Sequence, residues 1–198
     1  MKNLLFLLIF IFLSGIADAQ EHKPQLLFQP ASWEFERFEL PPGFAPGILY
    51  KGAEELRFAP GMFNKDSALY FTYVFVAQLD DVTTISQNDI RDYLLKYYKG
   101  LCSATAKDRK LVVDSARITA AVEKKKGTPA NETVYNVSLN IFGVFADGAP
   151  VKLNMEIEVL KAAAAKKTYL FFITSPRKKT DAIWKKLYDI RNEFKLPG

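Results

Sequence analysis

Few residues of this chain could carry acid–base or nucleophilic chemistry near neutral pH. The chain holds one histidine, His22, and one cysteine, Cys102. A serine or cysteine nucleophile usually takes its base from histidine, and His22 lies in a polar stretch that predicts a loose segment. A zinc site of the usual histidine and cysteine type lacks ligands for the same reason. We therefore expect neither a histidine-dependent enzyme nor a bound metal.

Two other side chains have the types of a nucleophile. Ser175 and Lys178 match the S-x-x-K pattern of serine acyl-enzymes, but the partner motifs S-D-N and K-T-G are missing. Ser175 can instead cap a helix. Cys102 follows Leu101 and has small apolar neighbours, which favours a buried side chain, and an intermolecular or reactive thiol is the alternative.

Paired carboxylates are the remaining route to catalysis, as in glycosidases. The candidate pairs are Glu54 with Glu55 and Asp80 with Asp81. Neighbours in a regular strand face opposite sides, so Glu54 and Glu55 cannot both serve one site. Asp80 and Asp81 stand where a predicted strand ends, which favours loop solvation. No phosphate-binding loop or dinucleotide-binding motif is present, so we predict no cofactor and no catalytic residue.

The first nineteen residues have the three parts of a secretory signal peptide. Lys2 supplies the positive charge, an apolar run extends from Leu4 to Leu13, and small residues surround a cut between Ala19 and Gln20. An uncleaved anchor is the alternative, but a spanning helix needs about 20 apolar residues. We expect a secreted or periplasmic protein with no transmembrane span after cleavage.

The rest of the chain predicts a flexible lead-in at 20–32 and a single domain at 33–198. Seven segments are predicted to form strands, several of them from the alternation of apolar and polar residues. The predicted strands are 33–40, 53–59, 70–79, 111–123, 133–145, 151–159 and 168–174. The segment 70–79 is apolar on both faces, as in a central strand, whereas 151–159 predicts one solvent-exposed face. The last four strands form a meander.

Two helices complete the predicted fold. Ser86 and Asp89 resemble a helix start, and apolar residues follow at helical spacing until Gly100 weakens the helix, so we expect its end between Gly100 and Ala106. The last helix begins at Ser175 or at Thr180. Both helices can pack on the apolar face of the meander. The prediction is an α+β fold, with an antiparallel sheet and two helices forming a two-layer sandwich.

Basic residues gather at the hairpin ends of this predicted meander. One end carries Lys124, Lys125, Lys126, Lys166 and Lys167, and the other carries Arg177, Lys178 and Lys179. A strand of about twelve residues would separate the ends by roughly 40 Å. The net charge is +5 and stays so after the predicted cleavage, which favours an anionic envelope component or an acidic partner. Protection of hairpin tips is the alternative, and no stacking motif for nucleic acid is present.

A second candidate binding region is the loop-rich segment 41–63. It places five large apolar residues among prolines and glycines: Phe44, Tyr50, Phe58, Met62 and Phe63. Such loops often bind a ligand or a protein partner. The alternative is that they cover one face of the sheet.

The segments WEFERFELPPGFAP at 33–46, KGAEELRFAPGMF at 51–63 and YFTYVF at 70–75 resemble a family of exported bacterial proteins of unknown function. This resemblance covers most of the chain after the predicted cleavage and implies no activity. The order of elements is also similar to that of Mog1/PsbP-like domains, and this similarity is architectural only.

These observations predict an exported, non-catalytic binding or accessory protein whose ligand the sequence does not identify. The alternatives are a carboxylate-dependent hydrolase of the cell envelope and a structural protein–protein interaction module. A pocket with two carboxyl groups about 5 to 9 Å apart would favour the hydrolase.

Overall fold

The computed structural model describes residues 23–129, 132–162, 164 and 166–197, which form one antiparallel sheet and two α-helices. The predicted signal peptide and His22 lie outside this range. The strands are β1 (Glu34–Leu40), β2 (Gly52–Phe58), β3 (Tyr73–Asp80), β4 (Thr119–Lys124), β5 (Thr133–Phe142), β6 (Pro150–Ala162) and β7 (Lys167–Ser175). The helices are α1 (Gln87–Asp108) and α2 (Ala182–Glu193).

The seven strands lie in the order β1-β2-β3-β7-β6-β5-β4, and each neighbouring pair is antiparallel. The predicted α+β class and the meander of the last four strands are confirmed. The first three strands join this meander through β3, which pairs with β7. Both of these central strands are almost entirely buried, because they carry apolar side chains on both faces.

A separate hydrophobic core covers each face of the sheet. Phe75 and Phe172 lie in the core beneath α1, whereas Val76 and Phe171 lie in the core beneath α2. The layering therefore differs from the predicted two-layer sandwich, because the helices lie on opposite faces and give three layers. The cause is the composition of β3 and β7, whose second apolar face also has to be buried.

Helix α1 begins as its sequence predicts and ends later than expected. Ser86 and Asp89 form a capping box, in which each side chain bonds the backbone N–H of the other residue. The helix then continues through Gly100 to Asp108. A Cβ at position 100 would lie 2.1 Å from the carbonyl oxygen of Phe44, so the glycine permits the loop before β2 to approach the helix.

The starts of two other elements, α2 and β4, differ from the prediction. Helix α2 starts after Asp181, close to the predicted alternative at Thr180 and not at Ser175, since Ser175 ends β7 and its hydroxyl lies 2.9 Å from that of Thr72. Of the predicted strand 111–123, the chain pairs with β5 only from Thr119 onward. The reason is local, because Asp114 accepts a hydrogen bond from the N–H of Ala116 and begins a short 3₁₀ helix.

The segment before β1 is bound to the sheet, unlike the flexible lead-in that its composition predicts. Fully buried Glu55 accepts hydrogen bonds at 2.8–2.9 Å from the backbone N–H groups of residues 25–27, and Arg37 donates to the same carboxylate. Arg57 donates to the carbonyl oxygens of Leu27, Phe28 and Trp33. These bonds hold buried Leu26, Leu27 and Trp33 in the core beneath α2.

We expect Glu55→Gln to lower the free energy of unfolding by about 2–4 kcal/mol, because it leaves Arg37 and the buried N–H groups without a charged acceptor. Urea unfolding followed by circular dichroism measures this loss. The control is Glu39→Gln, since Glu39 is exposed and lies 3.9 Å from the same arginine, and its cost should stay below about 0.5 kcal/mol. Equal losses for the two variants would contradict a role for Glu55 in holding the segment.

Candidate functional site

The aromatic loop region is the first of the two predicted binding regions. Met62 is buried, while Phe44, Tyr50 and Phe58 are partly buried and packed against the core beneath α1. The Phe44 ring lies edge-on to Tyr97, with 5.0 Å between centroids. Such contacts favour the alternative in which the region covers the sheet.

Phe63 is the exception among the five residues. It is 36% exposed, and its ring packs against Phe58 at 5.6 Å and Phe145 at 5.4 Å. One exposed ring supported by two others gives a small apolar surface spot rather than a pocket. The role of these five residues in binding stays a prediction.

The basic residues of the two predicted ends are not all separated. Lys125 Nζ lies 2.9 Å from one carboxylate oxygen of Glu156, and Lys179 Nζ lies 2.7 Å from the other. The expected separation of roughly 40 Å is therefore wrong for these two lysines.

Strand register explains why Lys125 and Lys179 meet. The N–H of Lys125 bonds the carbonyl of Val134, which pairs with Glu158 in β6. The last residue of β7 pairs with Asn154 in the same strand. The two chain exits are thus about four residues apart along β6, roughly 13 Å, and the long lysine side chains bridge this interval.

The other predicted basic residues occupy separate environments. Lys167 lies 3.5 Å from Asp80, and the Arg177 guanidinium donates to the carbonyl oxygens of Ser67 and Ala68. Four lysines are exposed: Lys124, Lys126, Lys166 and Lys178. The two hydrogen bonds from the Arg177 guanidinium to Ser67 and Ala68 stabilise the loop before β3.

Glu156 is the centre of the site that the structure does bring together. It is 1% exposed, and it accepts further hydrogen bonds from Arg191 at 3.1 Å and from the Tyr188 hydroxyl at 3.0 Å. Burial acts to raise the pKa of Glu156, but the bonds and charges of Lys179 and Lys125 outweigh it, so this pKa lies below its ordinary 4.5.

We call the set of Lys125, Lys179, Arg191, Glu156 and Glu158 the basic cluster. Arg191 also lies 3.6 Å from Glu158, so three cations face two carboxylates. The two lysine side chains remain 34% and 36% exposed. The cluster therefore presents positioned, partly exposed ammonium groups with one positive charge in excess.

The basic cluster borders the open part of the sheet. Asn136, Glu156 and Ile173 are cross-strand neighbours and share the face on which α2 lies. Beyond α2 this face carries polar or small side chains that are exposed or half-buried: Thr119, Ala121, Glu123, Asn136, Ser138, Asn140, Lys152 and Asn154. Lys179 Nζ donates to Asn136 Oδ1 at 2.6 Å and so joins the cluster to this surface.

The candidate pair Glu54 and Glu55 does not share one face of the sheet. Glu54 faces Tyr93 of α1, whereas Glu55 faces the segment before β1 on the other side of the sheet. A cleft of about 390 Å³ beside Arg117 and Lys152 is lined by no carboxylate. Another cleft of about 500 Å³, between residues 25–29 and 190–197, is lined by one carboxylate, that of Glu193.

The two side chains of nucleophile type are also buried. Cys102 lies on the buried face of α1, and burial raises the pKa of its thiol to about 11. Ser175 is fully buried at the end of β7, with its hydroxyl engaged by Thr72. Within the described residues, no group of three or more histidine, cysteine, aspartate or glutamate side chains has the geometry to hold a metal ion.

The sequence pattern did not predict three of the site residues, Glu156, Tyr188 and Arg191. Glu156 follows the alternation that predicts a solvent-exposed face, and it is the flanking lysines and α2 that bury it. Arg191 and Tyr188 are three residues apart on α2, a spacing that places them on one helix face. That spacing is the available sequence signal, but it does not identify the partner.

Comparison with protein-family models, curated proteins and solved structures finds no significant match to this chain. The resemblance to an exported bacterial family and to Mog1/PsbP-like domains therefore stays a prediction. Among the described helices, neither is long and apolar enough to cross a membrane.

We expect Glu156→Gln to destabilise the protein by about 2–4 kcal/mol at neutral pH, since it removes the anion that three cations share. Because the pKa of Glu156 is lowered on folding, its contribution is present above about pH 4.5 and is lost as pH falls through the lower folded value. The difference between the variant and the natural chain should shrink below that pH, as urea unfolding across pH would measure.

The control for this prediction is Glu123→Gln, the same change at an exposed position on β4, two strands away from Glu156. We expect its effect to stay within about 0.5 kcal/mol. A constant difference between Glu156→Gln and the natural chain down to low pH would contradict an ionised Glu156 at the centre of the cluster.

Proposed function

We propose that this chain is an exported, non-catalytic binding protein that recognises an anionic component of the cell envelope through the basic cluster and the adjoining open sheet face. Export rests on the predicted signal peptide. The choice of an anionic ligand rests on the cations of the cluster, and the proposed mode of action is contact rather than turnover.

The observation that carries this proposal is the convergence of Lys125 and Lys179 on buried Glu156. Glu156 fixes both ammonium groups, so less conformational entropy is lost when they meet a ligand. Each lysine is about one-third exposed and retains N–H donors that do not bond Glu156. An anionic group can approach both of them from the solvent.

The surroundings of the cluster suit a polar, extended ligand. Asn136 contacts Lys179, and Asn154 donates to the carbonyl of Arg177 at 3.0 Å, so amide groups continue from the cluster along the sheet. Amides and hydroxyls bind the polar groups that accompany a charge in envelope polymers and lipid headgroups. The cluster supplies charge recognition, and this surface supplies hydrogen bonds.

We expect the chain from residue 20 onward to bind vesicles that contain phosphatidylglycerol and not vesicles of phosphatidylcholine alone. Lys125→Gln with Lys179→Gln should weaken this binding about thirtyfold, since each basic residue near an anionic membrane contributes about 1 kcal/mol. Vesicle co-sedimentation measures the affinity, and added salt should weaken it because the charges are near the surface. Soluble polyphosphate as a competitor distinguishes recognition of phosphate groups from a need for a lipid surface.

The matched control is Lys96→Gln with Lys185→Gln, which removes the same two charges from helix surfaces where each lysine pairs with an aspartate. This variant should bind within about threefold of the natural chain. Equal weakening by both double variants would show that net charge alone drives binding. Absence of binding to both vesicles and polyphosphate would reject the proposal and favour the protein–protein interaction alternative.

A further inference from the structure

A buried carboxyl group lies on the opposite face of the sheet from the basic cluster. Glu54, in the middle of β2, is 0% exposed and faces α1. The hydroxyl of Tyr93 donates to its Oε1, while its Oε2 has no hydrogen-bond partner among the described residues. A half-satisfied carboxyl group in a hydrophobic core is costly, so its protonation state affects stability.

Among the described residues, the titratable groups around Glu54 carry no positive charge. Its titratable neighbours are Glu36 from β1, Tyr73 from β3, and Tyr93, Tyr97 and Tyr98 from α1. Tyr50, from the loop before β2, lies outside this set with its ring 6.3 Å from that of Tyr93. Four phenols and one further carboxyl group therefore surround Glu54, and none of them neutralises a carboxylate.

This environment favours the protonated carboxyl group. The pKa of Glu54 is raised to about 8, chiefly by burial and further by the charge of Glu36, while the hydrogen bond from Tyr93 acts in the opposite direction. Glu36 is itself half-buried on the edge strand, and burial raises its pKa as well. At neutral pH the folded chain thus keeps a proton that an accessible glutamate would release.

We propose that the proton on Glu54 fastens α1 to the sheet, so that α1 opens more readily as the pH of the surroundings rises. While α1 is packed, the carboxyl group stays neutral. When α1 moves away, water reaches Glu54 and the proton leaves. Opening is therefore coupled to the release of one proton, and a high pH favours the open state.

The direction and size of the effect follow from this coupling. The closed state binds the proton up to about pH 8, and the open state binds it only up to the ordinary value near 4.5. Between these values the opening equilibrium should rise up to tenfold per pH unit, and a few hundredfold in total between about pH 5 and 8. Above that range it should level off, because both states are then deprotonated.

Amide hydrogen exchange of α1, corrected for the intrinsic pH dependence of exchange, measures this opening. In the natural chain, protection of residues 90–106 should fall with pH relative to that of α2. Glu54→Gln keeps a neutral side chain at every pH, so the pH dependence of α1 should disappear. An unchanged slope in Glu54→Gln, or a flat profile in the natural chain, would overturn the proposal.

A second variant and a direct measurement cover the case in which Glu54→Gln fails to fold. Tyr93→Phe removes the donor to Glu54, and since that bond lowers the pKa of Glu54, the variant should keep a pH dependence that extends to higher pH. The carboxyl carbon shift of Glu54 in the natural chain, followed by NMR, should titrate well above pH 4.5. Titration at the ordinary value would reject the proposal.

Discussion

The pairing of β3 with β7 is the interaction on which the rest of this structure depends. It joins strands about a hundred residues apart and unites the first three strands with the meander in one sheet. Phe75 stacks on Phe172 with 3.8 Å between ring centroids on one face, while Val74 pairs with Ile173 on the other. Because both strands are apolar on both faces, each face needs its own cover, and α1 and α2 provide it.

The position of the proposed binding site follows from how far that cover extends. Helix α2 lies over β7 and, with the bound segment before β1, fills the core on its face. It does not extend over β4, β5 and the part of β6 around Lys152 and Asn154. The side chains of these strands on the α2 face are polar or small. Glu156 stands at this boundary, where Arg191 and Tyr188 reach it from the helix and Lys125 from the sheet edge. Glu54, the buried glutamate on the other face, has a different environment. It is packed against α1, and no cation in the described part of the chain neutralises its carboxyl group.

Periodicity predicted the strands, the meander and the capping box of α1, because each of these depends on neighbours in the chain. It did not predict the face of the sheet on which α2 packs or the hydrogen bonds of Glu55 to the segment before β1. It also did not predict that Lys125 and Lys179 both bind Glu156. Those features depend on strand register and on contacts between residues 23 to 31 positions apart. Part of the basic cluster was identifiable from composition as two lysine groups, whereas Glu156 followed an alternation typical of solvent-exposed residues and gave no sign of its burial.

We propose that ligand binding occurs where the lysines converge and not at the aromatic loop region. The most direct measurement is an NMR titration of the isotope-labelled chain, from residue 20 onward, with polyphosphate and with phosphatidylglycerol nanodiscs. We expect shift changes centred on Lys125, Asn136 and Lys179, with the signals around Phe63 unchanged. Changes centred on Phe63, or none at the lysines at saturating ligand, would contradict it.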